Sequence, residues 1–354
     1  MEIRYAEADY GKVSVKTKQV GKPGAGQLLL KAQYSALSPG TERGLMQGVI
    51  HPLPQGIGYS MVARVAEVGE GVKDFREGDL VVATAPHAEF VIVSQNVATP
   101  VPEGIDEEQA AFYALSRTAI YGIRRTRIQL GESVVVLGQG MVGLIAGYLA
   151  RLAGACPVIV TDIDDGRLDI AKKLGARNAI NTMKDPDALK RTIESLGPGA
   201  PSVVLEAAGV YPTMELAFKI VGERGRVMYL STVHADTGEH LSFGEMLVSL
   251  YMKGATYIGG YVNSKPFSLK RYDLAFTEAW PPTLSEEPSR FVSSDIWTSE
   301  EDNRTILKLI HHGVLDLRPL ITHRFSVDQI PEAYDLVWKG DPALLGGLIC
   351  WDKR

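Results

Sequence analysis

A chain of 354 residues has room for two domains, each with its own core. Apolar residues make up 45% and charged residues 22%, the balance of a globular protein, and a net charge of −5 gives neither nucleic acid nor an anionic membrane surface an electrostatic reason to bind. The first nine residues lack a signal peptide's apolar core, no run is long and apolar enough to span a bilayer, and Cys156 and Cys350 are too few for a disulfide framework or a cysteine-rich metal site, so a reduced, cytoplasmic protein is expected.

Up to about residue 100 the chain reads as β-rich. Short alternating runs at 27–35, 63–68 and 90–93 are punctuated by Gly, Pro and Asn. A helical stretch over 108–126 follows. Strands and helices then alternate: 133–137, 142–153, 158–161, 166–174, 178–180, 188–196, 202–207, 211–221, 225–230 and a last strand near 255–259. This alternation predicts an α/β fold with a doubly wound parallel sheet over 124–262, between an N-terminal part (1–123) and a C-terminal return (263–354). The return carries helices at 303–312 and 330–339. Residues 264–302 stand apart: four prolines and an aromatic set that includes Trp280 and Trp297 read either as an insertion packed on the body over a cleft or a subunit interface or, equally, as an irregular packed excursion with no functional role; on the first reading both tryptophans are candidate substrate contacts.

The stretch 134–143 carries the chemistry. A β-branched apolar run stops at Gly138 and a helix-forming run begins after Gly143, giving Gly-x-Gly-x-x-Gly in its strand–turn–helix setting. Gly138 allows the tight turn, Gly140 the close approach of a pyrophosphate, and Gly143 close helix–strand packing. Met141 and Val142 fall in the first helical turn, where free N–H groups and the positive dipole end face the phosphates. The next strand ends at Asp162, where a dinucleotide's ribose hydroxyls belong. A carboxylate accepts those hydroxyls and repels a 2′-phosphate. No basic residue directly follows it; Ile163 is next and Arg167 is the nearest positive charge, so NAD is the expected cofactor. Thr118, Ala207, Ser231 and Gly260 complete the candidate cofactor set.

Further segments carry a resemblance. Residues 39–48 contain Gly40, Thr41, Glu42 and Arg43 after Pro39; residues 58–69 begin Gly58, Tyr59, Ser60; Gly78 and Asp79 form a Gly-Asp-x-Val turn; 253–260 and 319–323 add C-terminal matches. Taken in order, these resemble the medium-chain dehydrogenase/reductase superfamily nearly end to end. The resemblance implies a GroES-like β-rich catalytic domain split around a Rossmann domain, an active site in the cleft between them, and a homodimer or homotetramer joined through Rossmann sheet edges near 255–260. It also implies departures. Where zinc-dependent members place their catalytic metal ligands, this chain has Pro39, Tyr59, Ser60 and, near the third position, Ala114; the structural-zinc lobe is missing. Such residues cannot supply a tetrahedral zinc site, so a zinc-free member is expected.

Hydrogen-bond donors or a general base must then replace the metal. By the resemblance, Thr41 matches the proton-relay hydroxyl, Tyr59 points where the metal was, and His87 lines the substrate pocket. An imidazole's ordinary pKa suits proton exchange near neutrality. Glu42 and Arg43 orient the others, Ser38 and Ser60 contact substrate hydroxyls, and Tyr113 and Arg117 face the cleft. These polar groups favour a sugar, cyclitol or polyol. The expected reaction is oxidation of a secondary alcohol to a ketone, or its reverse. Two alternatives stay open: an enone or quinone reductase, and a non-catalytic NAD-binding protein.

Overall fold

The structure, a computed structural model, describes residues 1–48, 52–231, 242–259 and 297–351. Gly260, Trp280 and most of the 264–302 segment lie outside them. The chain forms two compact units, one built from Met1–Arg117 with the C-terminal described residues 297–351, the other beginning at Thr118.

The first unit is mostly β. Its elements are β1 (Glu2–Asp9), β2 (Lys12–Gln19), β3 (Gln27–Ala36), α1 (Pro39–Met46), β4 (Gln55–Gly56), β5 (Met61–Val68), β6 (Leu80–Ala83), β7 (Phe90–Ser94), β8 (Ala98–Pro100) and α2 (Glu107–Ala110). α3 (Tyr113–Thr126) follows and runs across the boundary between the units. A continuous helix has no Gly-Pro punctuation to mark that boundary, which falls at 117/118 rather than 123/124. After the second unit come α9 (Ser299–His311), β15 (Ile321–Ser326), α10 (Ile330–Lys339) and β16 (Gly346–Cys350). β3 is the hub of this unit: it pairs antiparallel with β5, β7 and β16, within the order β15-β16-β3-β5-β6-β8. Leu28, Leu30 and Ala32 of β3 alternate into one core with Met61, Ala63 and Val65 of β5 and with Ile330, Tyr334 and Val337 of α10.

The second unit comprises β9 (Val134–Leu137), α4 (Met141–Leu152), β10 (Val158–Asp162), α5 (Asp165–Lys173), β11 (Asn178–Asn181), α6 (Ala188–Ser195), β12 (Val203–Glu206), α7 (Tyr211–Ile220), β13 (Arg226–Tyr229), α8 (Phe243–Lys253) and β14 (Thr256–Ile258). All its strand pairs are parallel, in the order β11-β10-β9-β12-β13-β14. Every residue of β9, β10 and β12 is buried, as strands covered on both faces require. After β9 the chain builds one half of the sheet through β10 and β11, then returns to β12 on the other side of β9. The switch point therefore lies between the carboxyl ends of β9 and β12, where an open α/β sheet takes its ligand.

Candidate functional site

The two loops at the switch point touch. Gly138 has a φ of 91°, and a Cβ there would lie 2.8 Å from the Ala208 backbone after β12. A Cβ on Gly143 would sit 1.9 Å from the Gly138 carbonyl oxygen and 3.4 Å from the Ala207 methyl, so α4 packs on the turn with no room for a side chain. Gly140 is different. Its φ of −70° suits any residue, and a Cβ would meet nothing within 4 Å. Its glycine leaves open space over the α4 N-terminus, which has no side-chain cap. The first-turn N–H groups at Met141 and Val142 are thus left to a ligand.

Two acidic strand ends fix the cradle. Asp162 is 8% exposed; its Oδ2 accepts the Gln139 N–H at 2.6 Å, and its Oδ1 accepts those of Ile163 (2.8 Å) and Asp164 (2.9 Å). Glu206, fully buried, accepts the N–H groups of Ala208 (2.9 Å) and Gly209 (3.0 Å) and the Thr213 hydroxyl (2.7 Å) on Oε1, and the Ser231 hydroxyl (2.8 Å) on Oε2. Burial pushes the Glu206 carboxyl up, against its hydrogen bonds from Thr213, Ser231, Gly209 and Ala208. Sequence reasoning passed over Glu206, although an acid closing the apolar run of β12 before Ala-Ala-Gly is the same signal that marked Asp162. Ser231 sits at the cradle as a partner of Glu206. Ile163 is exposed beside it, Arg167 lies in the first turn of α5 with its N–H donated to the capping Asp164, and Thr118 is half-buried on α3.

In the first unit the structure gathers Ser38, Thr41 and Tyr59. The half-buried Tyr59 donates its phenol to Ser38 Oγ at 2.6 Å, and the Thr41 hydroxyl also bonds the phenol. Burial, the largest influence, pushes this phenol up to about 12; the Ser38 bond opposes the rise, the Glu42 charge adds to it, and Thr41 and the Arg117 cation oppose it. Tyr59 is a neutral donor near neutrality, with roughly one phenol in 10⁵ ionised.

Other expected site residues are held inside the unit. His87 is wholly buried, its Nδ1 2.7 Å from Ser35 Oγ and its Nε2 3.3 Å from Glu42 Oε1. With both ring nitrogens engaged and no surface, it cannot exchange a proton with a substrate. Glu42, equally buried, also accepts the Tyr334 hydroxyl at 3.0 Å, so it touches no substrate either. Ser60 Oγ donates to the Ala111 carbonyl at 2.6 Å and accepts the Ala114 N–H at 3.4 Å, fixing the start of β5 to the start of α3. The Tyr113 hydroxyl, fully buried, pairs with Thr84 at 3.1 Å. Arg43 turns to the end of α10, its Nη1 3.1 Å from where a Cβ on Gly340 would be, as suits a cation at a helix C-terminus. Arg117 is 2% exposed with its guanidinium 5.8 Å from the Tyr113 ring centre. Trp297 is partly exposed and precedes the capping box that starts α9.

Pro39, Tyr59, Ser60 and Ala114 do not fit zinc. Two have no side-chain donor, Ser60 is committed to backbone, and a phenol held near 12 resists becoming an anionic ligand. Among the described residues no group of three or more His, Cys, Asp or Glu could hold a metal ion.

A glycine cradle at the switch point of an all-parallel sheet, with an acid closing the neighbouring strand, is the geometry of a dinucleotide-binding site. The family models agree: the alcohol dehydrogenase GroES-like domain matches residues 24–103 and the zinc-binding dehydrogenase domain residues 142–275, together more than half of the chain. The chain belongs to the medium-chain dehydrogenase/reductase superfamily. It is 29% identical over 242 residues to the 2-dehydro-3-deoxy-L-galactonate 5-dehydrogenase of Pseudoalteromonas atlantica, covering 59% of this chain and 70% of that one. Galactitol-1-phosphate dehydrogenase from Escherichia coli shares the fold with a TM-score of 0.78 at 21% identity, over 98% of this chain and 99% of its own. A Sinorhizobium meliloti zinc-binding dehydrogenase solved with NADP does so with a TM-score of 0.76 at 20% identity, over 99% of each chain.

Proposed function

We propose that this protein is a zinc-independent, NAD-dependent dehydrogenase that interconverts a secondary alcohol of sugar, cyclitol or polyol type and its ketone. The observation that carries it is that the chain with the dinucleotide cradle has, in its other unit, the hydroxyl set Thr41–Tyr59–Ser38 where zinc ligands would be expected. When bound, NAD supplies the hydride acceptor. Gly140 leaves room for its pyrophosphate above a turn that Gly138 and Gly143 keep tight, the first turn of α4 offers N–H groups to it, and Asp162 keeps a lone pair on Oδ2 for a ribose hydroxyl. The Asp162 carboxylate supports NAD over NADP, since a 2′-phosphate would meet a negative charge.

Tyr59 acts as a neutral donor to the substrate oxygen, polarising the ketone in reduction and holding the alcohol oxygen in oxidation. In oxidation the Tyr59 oxygen would take the substrate's hydroxyl proton as the phenol gives its own to Ser38 Oγ, which would pass its proton on to solvent, with the Thr41 hydroxyl bonded to the same phenol; the bound cofactor would accept the hydride. The sugar dehydrogenase relatives support the substrate class. The exposed Val248, Tyr251 and Met252 on α8 and Tyr257 on the edge strand β14 support association through this side of the sheet into a homodimer or homotetramer.

Chelator-treated protein and NAD⁺, assayed across polyols, cyclitols, sugars and simple secondary alcohols, test the reading. NADH formed on a hydroxylated substrate is the expected result. Silence on that panel, with NADPH consumed on enones or quinones, refutes both the reaction and the cofactor.

A further inference from the structure

We propose that Glu42 and His87 are positioning residues that hold Thr41 and Tyr59 in register through a buried, one-way hydrogen-bond chain; the proposal rests on the dehydrogenase reading of that hydroxyl set. The direction of the chain follows from the groups in it. Trp351 can only donate, and its Nε1 lies 2.9 Å from Ser35 Oγ, so Ser35 accepts there and has its own proton to give. The Glu42 carboxylate can only accept, on Oε2 from Tyr334 and on Oε1 from His87 Nε2, so Nε2 carries the proton of the neutral ring and Nδ1 accepts the Ser35 proton at 2.7 Å. Each described donor meets an acceptor.

Both ends of the reacting pair are tied to this chain. Glu42 follows Thr41 directly on α1, and its N–H closes the first helical turn on the Ser38 carbonyl at 2.9 Å. Tyr59 follows Gly58, which has a φ of 99° and faces the His87 ring so closely that a Cβ would lie 2.4 Å from it. The His87 N–H also holds the Ile57 carbonyl at 2.8 Å. His87 thus grips the turn before Tyr59 with its backbone and ring, and grips α1 through Glu42. A buried carboxylate–imidazole pair adds little net stability over apolar packing of the same volume. What it adds here is a fixed angle and register between two segments that must meet within hydrogen-bond distance.

Three variants test this: Tyr334→Phe, which deletes one bond to Glu42 and keeps the ring; His87→Gln, which keeps an N–H for Glu42; and His87→Phe, which keeps neither nitrogen. Two readouts are taken: the carbon-13 signal of the Tyr59 ring carbon bearing oxygen, assigned against Tyr59→Phe, and steady-state rates with ordinary and carbinol-deuterated alcohol. Tyr334→Phe and His87→Phe should shift the Tyr59 signal and lower kcat about tenfold with a larger deuterium isotope effect, at unchanged NADH affinity, and His87→Gln should recover most of the rate. Should His87→Phe fail to fold, Tyr334→Phe and His87→Gln decide the matter. A Tyr59 signal unmoved in Tyr334→Phe overturns the proposal, whatever the rates. Absence of alcohol turnover in the unmodified protein overturns the dehydrogenase reading alone, because the Tyr59 signal is read without substrate.

Discussion

Gly140 and Gly143 are three residues apart in one motif, yet alanine should act on them in opposite ways. At Gly143 a methyl would lie 1.9 Å from the Gly138 carbonyl oxygen, whereas real Cβ contacts stay above 3.0 Å, so α4 must retreat by at least 1.1 Å. Overpacking of that kind costs about 1–3 kcal/mol, and the displaced helix N-terminus also loses its aim at the phosphates. At Gly140 the methyl meets no protein atom within 4 Å, and the φ of −70° is ordinary for alanine. The unfolded-state entropy gain of about 0.4–1 kcal/mol and the poorer N-cap preference of alanine roughly cancel. The methyl should instead exclude a phosphate oxygen and at least one charge-assisted bond of about 1.5–3 kcal/mol, a roughly 10–100-fold weaker Kd. Thermal melts without cofactor and fluorescence titration with NADH separate the two: Gly143→Ala loses stability and affinity, Gly140→Ala affinity alone. A Gly140→Ala variant that binds NADH as tightly as the unmodified protein would refute the placement of the pyrophosphate.

Tyr59→Phe should lower kcat about 100-fold or more while leaving NADH affinity unchanged; with the phenol held near 12, the unmodified enzyme's pH–rate profile should show no Tyr59 step across neutrality. Asp162→Asn should reduce the preference for NAD over NADP about tenfold or more, read as a ratio of kcat/KM values, and an unchanged ratio would remove Asp162 from cofactor choice. Because burial raises the Glu206 carboxyl above its unfolded value, its contribution favours folding fully below that value and is lost as pH rises through the folded one. Denaturant titrations from the acid side up to neutrality should therefore show a fall in stability that Glu206→Gln flattens. Val248→Glu with Tyr251→Glu should yield a monomer by sedimentation if α8 and β14 form the subunit contact.

The glycine turn and the acid that ends the next strand were legible because their signals are local. Glycine spacing, the strand before it and the acid closing the next strand all lie within about thirty residues. The surroundings of Thr41 and Tyr59 were not, because their decisive contacts are remote: Glu42 meets Tyr334 across 292 positions, and Ser35 meets Trp351 across 316. An imidazole looks reactive in a sequence until its partners are known, and all of His87's are buried. Likewise Ser60 and Tyr113 read as polar groups for a ligand when their partners were Ala111 and Thr84. Helix α1 went unannounced because Gly40 and Gly44 weaken its propensity, while Pro39 at its first position starts it.

Asp162 and Glu206 hold seven donors between them before any cofactor arrives. The cradle's shape is therefore set during folding, and association leaves little chain to order. Cofactor should then raise the melting temperature by mass action alone, growing with the logarithm of its concentration above Kd, and amide exchange at Gln139, Ala208 and Gly209 should already be slow in the empty protein.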